Sequence, residues 1–316
     1  MADRKLIAIT GATGAQGGGL ARAILSDPES DFQVRALTRD PASEKARALA
    51  AQGAEVVAAD VDNPESLAQA FDGAYGAYCV TFYWAHMSPE RERAEAANLA
   101  QAVSSAGVEH VIWSTLEDTR RWVPLSDNRM PTLMGQYKVP HFDVKGDMDQ
   151  RFTDLGVPVT FLLASFYWDN FIHFGSGPKR GPDGKLVLTL PIGDAKMAGI
   201  ASEDIGAVAY GILTRGHEMI GQRIGAAGEH LTGSQMAAAM SRALGETVRF
   251  NPVAPEVFRG LGFPGADDLG NMFQFYDEFE DICNFVRDVE RSRRLAPGLK
   301  TFGQWLAGNA AQIPLD

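Results

Sequence analysis

The first half of the chain alternates short, nearly unbroken apolar runs with amphipathic segments. LIAIT at 6–10, VRALT at 34–38, EVVAADV at 55–61, AYGAYCVTF at 74–82, HVIWST at 110–115 and PVTFLLAS at 158–165 have the length and side-chain make-up of buried strands. Helices are expected at 18–25, at 43–52, from Asn63-Pro64-Glu65, from Ser88-Pro89-Glu90 to about 106, and at about 140–155. Asn63 is an N-cap with proline in the first turn behind it. Strands that are apolar throughout and separated by helices imply a parallel sheet covered on both faces. Right-handed crossovers then give an α/β fold with a doubly wound, Rossmann-type sheet.

The rhythm breaks at 117–139, a polar stretch with Pro124, Pro131 and Gly135 and no clear period. It reads as a long loop near the carboxyl ends of the strands, where ligands sit in such sheets. Beyond 165 the alternation weakens. LVLTLPI at 186–192 reads as a strand, Ser202 starts a helix, and Thr232-x-x-Gln235 and Thr301-x-x-Gln304 have the spacing of capping boxes. The expected division is a Rossmann domain over 1–158, with about 192–230 returning to it, and a smaller, mostly helical lobe over 159–191 and 231–316.

Composition narrows the function classes. The net charge of −11 disfavours a footprint on a phosphate backbone, so no nucleic-acid partner is expected. No apolar run is long enough for a bilayer, so no membrane role is expected. The two cysteines, Cys79 and Cys283, lack a metal-type spacing, and no metal site is expected. Few cysteines and no recognisable signal peptide point to a cytoplasmic protein.

The chemistry concentrates where LIAIT runs into GATGAQG. Gly11, Gly14 and Gly17 follow a strand and open a helix, the context that holds a pyrophosphate against helix N–H groups. At the end of the second strand stand Thr38 and Arg39, where an acidic residue would select NAD. Arginine there suits a 2′-phosphate, which favours NADP(H). Asp60 and Val61 end the third strand and meet adenine or cap the loop. Thr81 and Phe82 end the fourth and border the middle of the cofactor.

A reductase of the short-chain type would carry Tyr-x-x-x-Lys on one helical face. The lysine here is Lys145, and His141 stands four residues before it. Tyr137 lies four earlier still, but Pro140 intervenes and starts the helix. Ser114 or Thr115 matches a third member of such a set. His141 is either an acid–base group suited to neutral pH or a polar residue at a helix start. Lys145 is read as a cofactor ligand.

GATGAQGG at 11–18, RALTRDP at 35–41, QGAEVVAADVDNPESL at 52–67, HFDVKG at 141–146, SFYWDN at 165–170, LGFPGADDLGNMF at 261–273 and TFGQWL at 301–306 resemble the NmrA-like family of atypical extended short-chain dehydrogenases, closest to its NADPH-sensing branch. The resemblance covers nearly the whole chain. It implies NADP(H) held by Gly11, Thr13, Gly14, Ala15, Gln16, Gly17, Arg39 and Lys145, with Tyr167 and Asn170 near the nicotinamide. Its members include regulators that sense the NADPH balance and bind proteins, and also reductases. The tyrosine missing before Lys145 is shared with the sensors. Two functions therefore stand: a redox-sensing regulator with little turnover, or an NADPH-dependent reductase of an activated carbonyl or imine using His141 or Tyr137. A protein partner, a small-molecule substrate and a homodimer are each compatible with the sequence.

Overall fold

In the computed structural model, which describes residues 4–315, strand and helix alternate as far as residue 163. The order is β1 (Lys5–Ile9), α1 (Ala15–Leu25), β2 (Phe32–Thr38), α2 (Glu44–Ala51), β3 (Glu55–Ala58), α3 (Pro64–Phe71), β4 (Gly76–Cys79), α4 (Pro89–Ser105), β5 (His110–Thr115), α5 (Pro140–Asp154) and β6 (Val159–Leu163). Then come β7 (Phe166–Tyr167), α6 (Asn170–His173), β8 (Lys179–Arg180), β9 (Leu186–Leu190), β10 (Met197–Ile200), α7 (Ser202–Arg215), β11 (Arg223–Gly225), β12 (Glu229–Leu231), α8 (Gly233–Leu244) and β13 (Val248–Pro252). Five helices close the chain: α9 (Pro255–Arg259), α10 (Ala266–Glu278), α11 (Glu280–Val286), α12 (Val289–Leu295) and α13 (Phe302–Asn309). Among the described residues no helix is long and apolar enough to cross a membrane.

The chain divides into two compact units. The first comprises residues up to Asp118, His141–Ala164 and Glu203–Ile224; the second comprises Thr119–Pro140, Ser165–Ser202 and the chain from Gly225. Of the stretch 117–139, expected as a loop within the dinucleotide half, all but the first two residues fall in the second unit.

The first unit is built on a seven-stranded sheet in the order β11-β6-β5-β4-β1-β2-β3. The pairs from β6 through β3 are parallel. The order reverses between β1 and β4, and in such sheets the crevice for a ligand opens at that switch, beyond the strand carboxyl ends. Thr10 ties the two strands together past their ladder: its hydroxyl receives the Val80 N–H at 2.8 Å and reaches the carbonyls of Tyr78 and Val80. β3 stops at Ala58, so Asp60 and Val61 lie in the turn beyond it, not at the strand end. Asn63 accepts the N–H groups of Glu65 and Ser66, the expected cap of α3. Helices α1 and α7 touch backbone to backbone. A methyl group on Gly206 would strike the Leu20 nitrogen, and one on Gly19 the Glu203 carbonyl.

The second unit holds two three-stranded sheets, β12-β10-β7 and β13-β9-β8, together with α8 to α13. Helices predominate in it, as expected, and β9 falls where LVLTLPI reads as a strand. β7, β8 and β12, of two or three residues, leave too little pattern to be seen in sequence. Both expected capping boxes are present, Thr232 with Gln235 and Thr301 with Gln304. Trp168, Phe302 and Trp305 pack as one aromatic cluster in its core.

Candidate functional site

The glycine turn is shaped by backbone, not side chains. Gly11 sits at φ +60, a left-handed conformation, and its carbonyl receives the Gly14 N–H at 2.8 Å. At Gly17 an added Cβ would stand 2.6 Å from the carbonyl oxygens of both Thr10 and Gly11, so α1 presses directly onto the turn. Gly14 caps α1 with no side chain, and the first turn carries no acid. The opening N–H groups of α1 lie at the positive end of the helix dipole. Gln16 turns inward: its side-chain oxygen accepts the Tyr78 hydroxyl and, at 2.8 Å, the Ser114 hydroxyl. Ser114, expected as a third catalytic member, thereby braces this loop. Thr13 is half-buried.

At the end of β2, the Thr38 hydroxyl accepts the Asp40 N–H and the Asp40 carboxylate accepts the Ala42 N–H. Asp40 is therefore engaged in its own turn. Arg39 beside it is exposed and makes no hydrogen bond or ion pair among the described residues. The Asp60 carboxylate caps the Asp62 N–H at 3.1 Å, the loop-cap role, while the Val61 carbonyl is held by Asn98 of α4 at 2.9 Å.

The end of β4 and the start of α5 meet around Lys145. Its ammonium donates to the Thr81 hydroxyl at 2.6 Å and the Thr81 carbonyl at 3.2 Å, and pairs with Glu92 of α4 at 2.6 Å. The Trp113 ring lies 5.4 Å away. His141 is buried, with its ring 4.7 Å from Trp84, 5.9 Å from Tyr83 and 4.7 Å from Phe142. Phe82 is 58% exposed beside this aromatic group. Asp149, one turn beyond Lys145, accepts from Trp113 and Thr115, and burial holds its carboxyl above the usual range.

Glu92, His86 and Glu95 were not among the residues expected here. Glu92 is fully buried, and His86 faces both Glu92 and Glu95 at 3.5 and 3.6 Å. Glu95 is pushed above the ordinary carboxyl range by burial and by Glu92, against the pull of His86 and Arg91. A signal existed: Glu92 shares its stripe on α4 with Ala96, Leu99 and Val103, positions whose spacing makes them core. An acid there requires a buried cation.

Tyr137, Tyr167 and Asn170 belong to the second unit. Tyr137 is buried in a tight turn whose backbone pairs with Leu133. Tyr167 is half-buried on β7 opposite Ile200, and Asn170 opens α6. Of the expected residues, the first unit gathers the glycine turn, Thr81, Phe82, His141 and Lys145 at the carboxyl side of β1, β4 and β5.

The profile of the NmrA-like family matches residues 3–306. The NmrA-like oxidoreductase FrzB of Cladobotryum sp is 29% identical over 85% of this chain and 83% of its own. An NAD(P)H azoreductase of Xenophilus azovorans is 30% identical over 85% of this chain and 86% of its own. Among solved structures, NmrA, a negative transcriptional regulator crystallised with NADP, superposes with a TM-score of 0.80 at 25% identity, covering 98% of this chain and 96% of that one.

Proposed function

This chain belongs to the NmrA-like family, and on that premise we propose that it binds NADP(H) and acts as a redox-sensing regulator with little or no turnover. The fit to the cofactor rests on the structure's own cradle. A side chain at Gly17 would push α1 off the turn, the first turn of α1 is free of acids, and Arg39 stands uncommitted where a 2′-phosphate needs a partner. Gly11, Thr13, Gly14, Ala15, Gln16 and Gly17 would hold the pyrophosphate, Thr38 and Arg39 the 2′-phosphate, Asp60 and Val61 the adenine side. Thr81, Phe82 and Lys145 would border the ribose and nicotinamide. NADPH, when bound, supplies a hydride.

The observation that carries the regulator reading is the side chain four residues before Lys145. It is His141, enclosed by Tyr83, Trp84 and Phe142, where a short-chain reductase has a tyrosine that donates the proton. A second reading, an NADPH-dependent reductase of an activated carbonyl or imine, is favoured by relatives named as oxidoreductases. Such an acceptor needs little acid catalysis. One experiment separates the two. The protein is titrated with NADPH and then given carbonyl, quinone and imine acceptors while reduced-nicotinamide absorbance is followed. Binding without turnover supports the regulator. Turnover that disappears in His141→Phe or Tyr137→Phe, with binding kept, establishes the reductase. Absence of NADPH binding overturns both.

A further inference from the structure

All three ammonium hydrogens of Lys145 are engaged by protein: one on the Thr81 hydroxyl, one on the Thr81 carbonyl, one on Glu92 Oε1. The Thr81 hydroxyl passes its own proton to the same Glu92 oxygen at 2.5 Å. Glu92 is fully buried and Lys145 nearly so. Two charges taken out of water in this way each depend on the other, and deleting one leaves the partner uncompensated.

The second oxygen of Glu92 is supported separately. Oε2 has no normal hydrogen bond and faces His86 Nε2 at 3.5 Å. His86 Nδ1 accepts the Ser88 N–H at 3.0 Å, so the ring carries its proton on Nε2, pointed between Glu92 Oε2 and Glu95 Oε1. That tautomer also argues against a cation among these three side chains, because a metal would need the Nε2 lone pair. Glu95 in turn takes the Arg91 Nε–H at 3.0 Å. Lys145 therefore faces Thr81 beyond β4, Glu92 on α4 with His86 and Glu95 behind it, and Trp113 on β5. On its own helix His141 and Asp149 lie one turn to either side.

We propose that Glu92, whose second oxygen the Nε2–H of His86 faces from 3.5 Å, is the positioning residue for Lys145: it keeps the buried amine charged and aimed, so that a nucleotide hydroxyl displaces only the Thr81 carbonyl, the longest of its three contacts. The proposal rests on the NADP(H) reading above. A buried amine that loses its counter-charge gives up its proton more readily. A purely structural role for Glu92 would lower affinity equally at every pH.

The test is NADPH affinity of the full chain, by fluorescence titration from pH 6 to 9. Wild type is expected to stay level within about threefold, since the ammonium keeps its partner. Glu92→Gln is expected to bind comparably at pH 6 and to weaken by on the order of tenfold by pH 8.5 as the amine neutralises. His86→Phe, which keeps Glu92 but removes the N–H that faces it, follows the same trend more shallowly. Glu92→Gln combined with Lys145→Arg is level again, because guanidinium stays charged. A level profile in Glu92→Gln, or a slope surviving in the arginine double variant, overturns the proposal. If Glu92→Gln does not fold, a level profile in His86→Phe overturns it alone. Wild type that binds no NADPH at any pH instead overturns the cofactor reading beneath it.

Discussion

Arg39 and Gly17 show how far single residues carry the cofactor argument. Gly17 is fixed by two carbonyl oxygens that leave no room for a Cβ, and Arg39 by the end of a strand with its charge left free. Arg39→Ala is expected to weaken NADP binding on the order of tenfold, the value of one charge-assisted hydrogen bond, while leaving NAD within about twofold. Isothermal titration with both nucleotides measures it, and equal losses would remove Arg39 from the phosphate site. Their placement was legible in the sequence because backbone geometry demands glycine in the turn, and the end of β2 sets where the next side chain stands. Glu92 was not. Its partner Lys145 lies 53 residues downstream (145 − 92), and a helical pattern marks a position as buried without saying which buried charge meets it.

Elements of the first unit were readable wherever an apolar run and a cap agreed. Asn63-Pro64 fixed the start of α3 in both sequence and structure, whereas β3 proved shorter than its apolar run, because Asp60 folds back to cap Asp62. The crossing of α1 and α7 was invisible, since it depends on glycines that meet only in three dimensions. Gly206→Ala should destabilise the fold by about 2–3 kcal/mol, because its methyl meets backbone that cannot swing aside. Gly308→Ala in α13 has open space around the added methyl and should stabilise by about 0.5–1 kcal/mol through helix propensity. Urea denaturation of the pair reads both signs; destabilisation in both variants would show that open space at Gly308 does not decide the outcome.

For the whole molecule, one buried histidine links folding to pH. His110 on β5 gives its Nε2 proton to Thr160 at 2.9 Å, and Thr160 donates on to the Met219 carbonyl. Burial, with His217 adding to it, lowers its pKa from 6.5 to about 4. The folded state thus binds the proton less well than the unfolded chain. The stability His110 confers is complete above pH 6.5 and is lost as pH falls towards 4, on the order of 3 kcal/mol in all. His110→Gln should flatten the dependence of unfolding free energy on pH across this window. An unchanged slope would place the acid sensitivity elsewhere. The unit boundaries were the least legible feature at this scale, because 119–140 has no period to assign it to either half.

The interleaving of those units bears on how the protein is made. The chain passes between them at residues 118, 140, 164, 202 and 224. A ribosome therefore releases both units in instalments. The large sheet cannot gain its outer strand β11 until residue 225 has left the exit tunnel, and the apolar edge of β6 waits uncovered until then. Neither unit can be obtained by cutting the gene at one place, and a stalled or prematurely stopped chain exposes a template for aggregation rather than a working half.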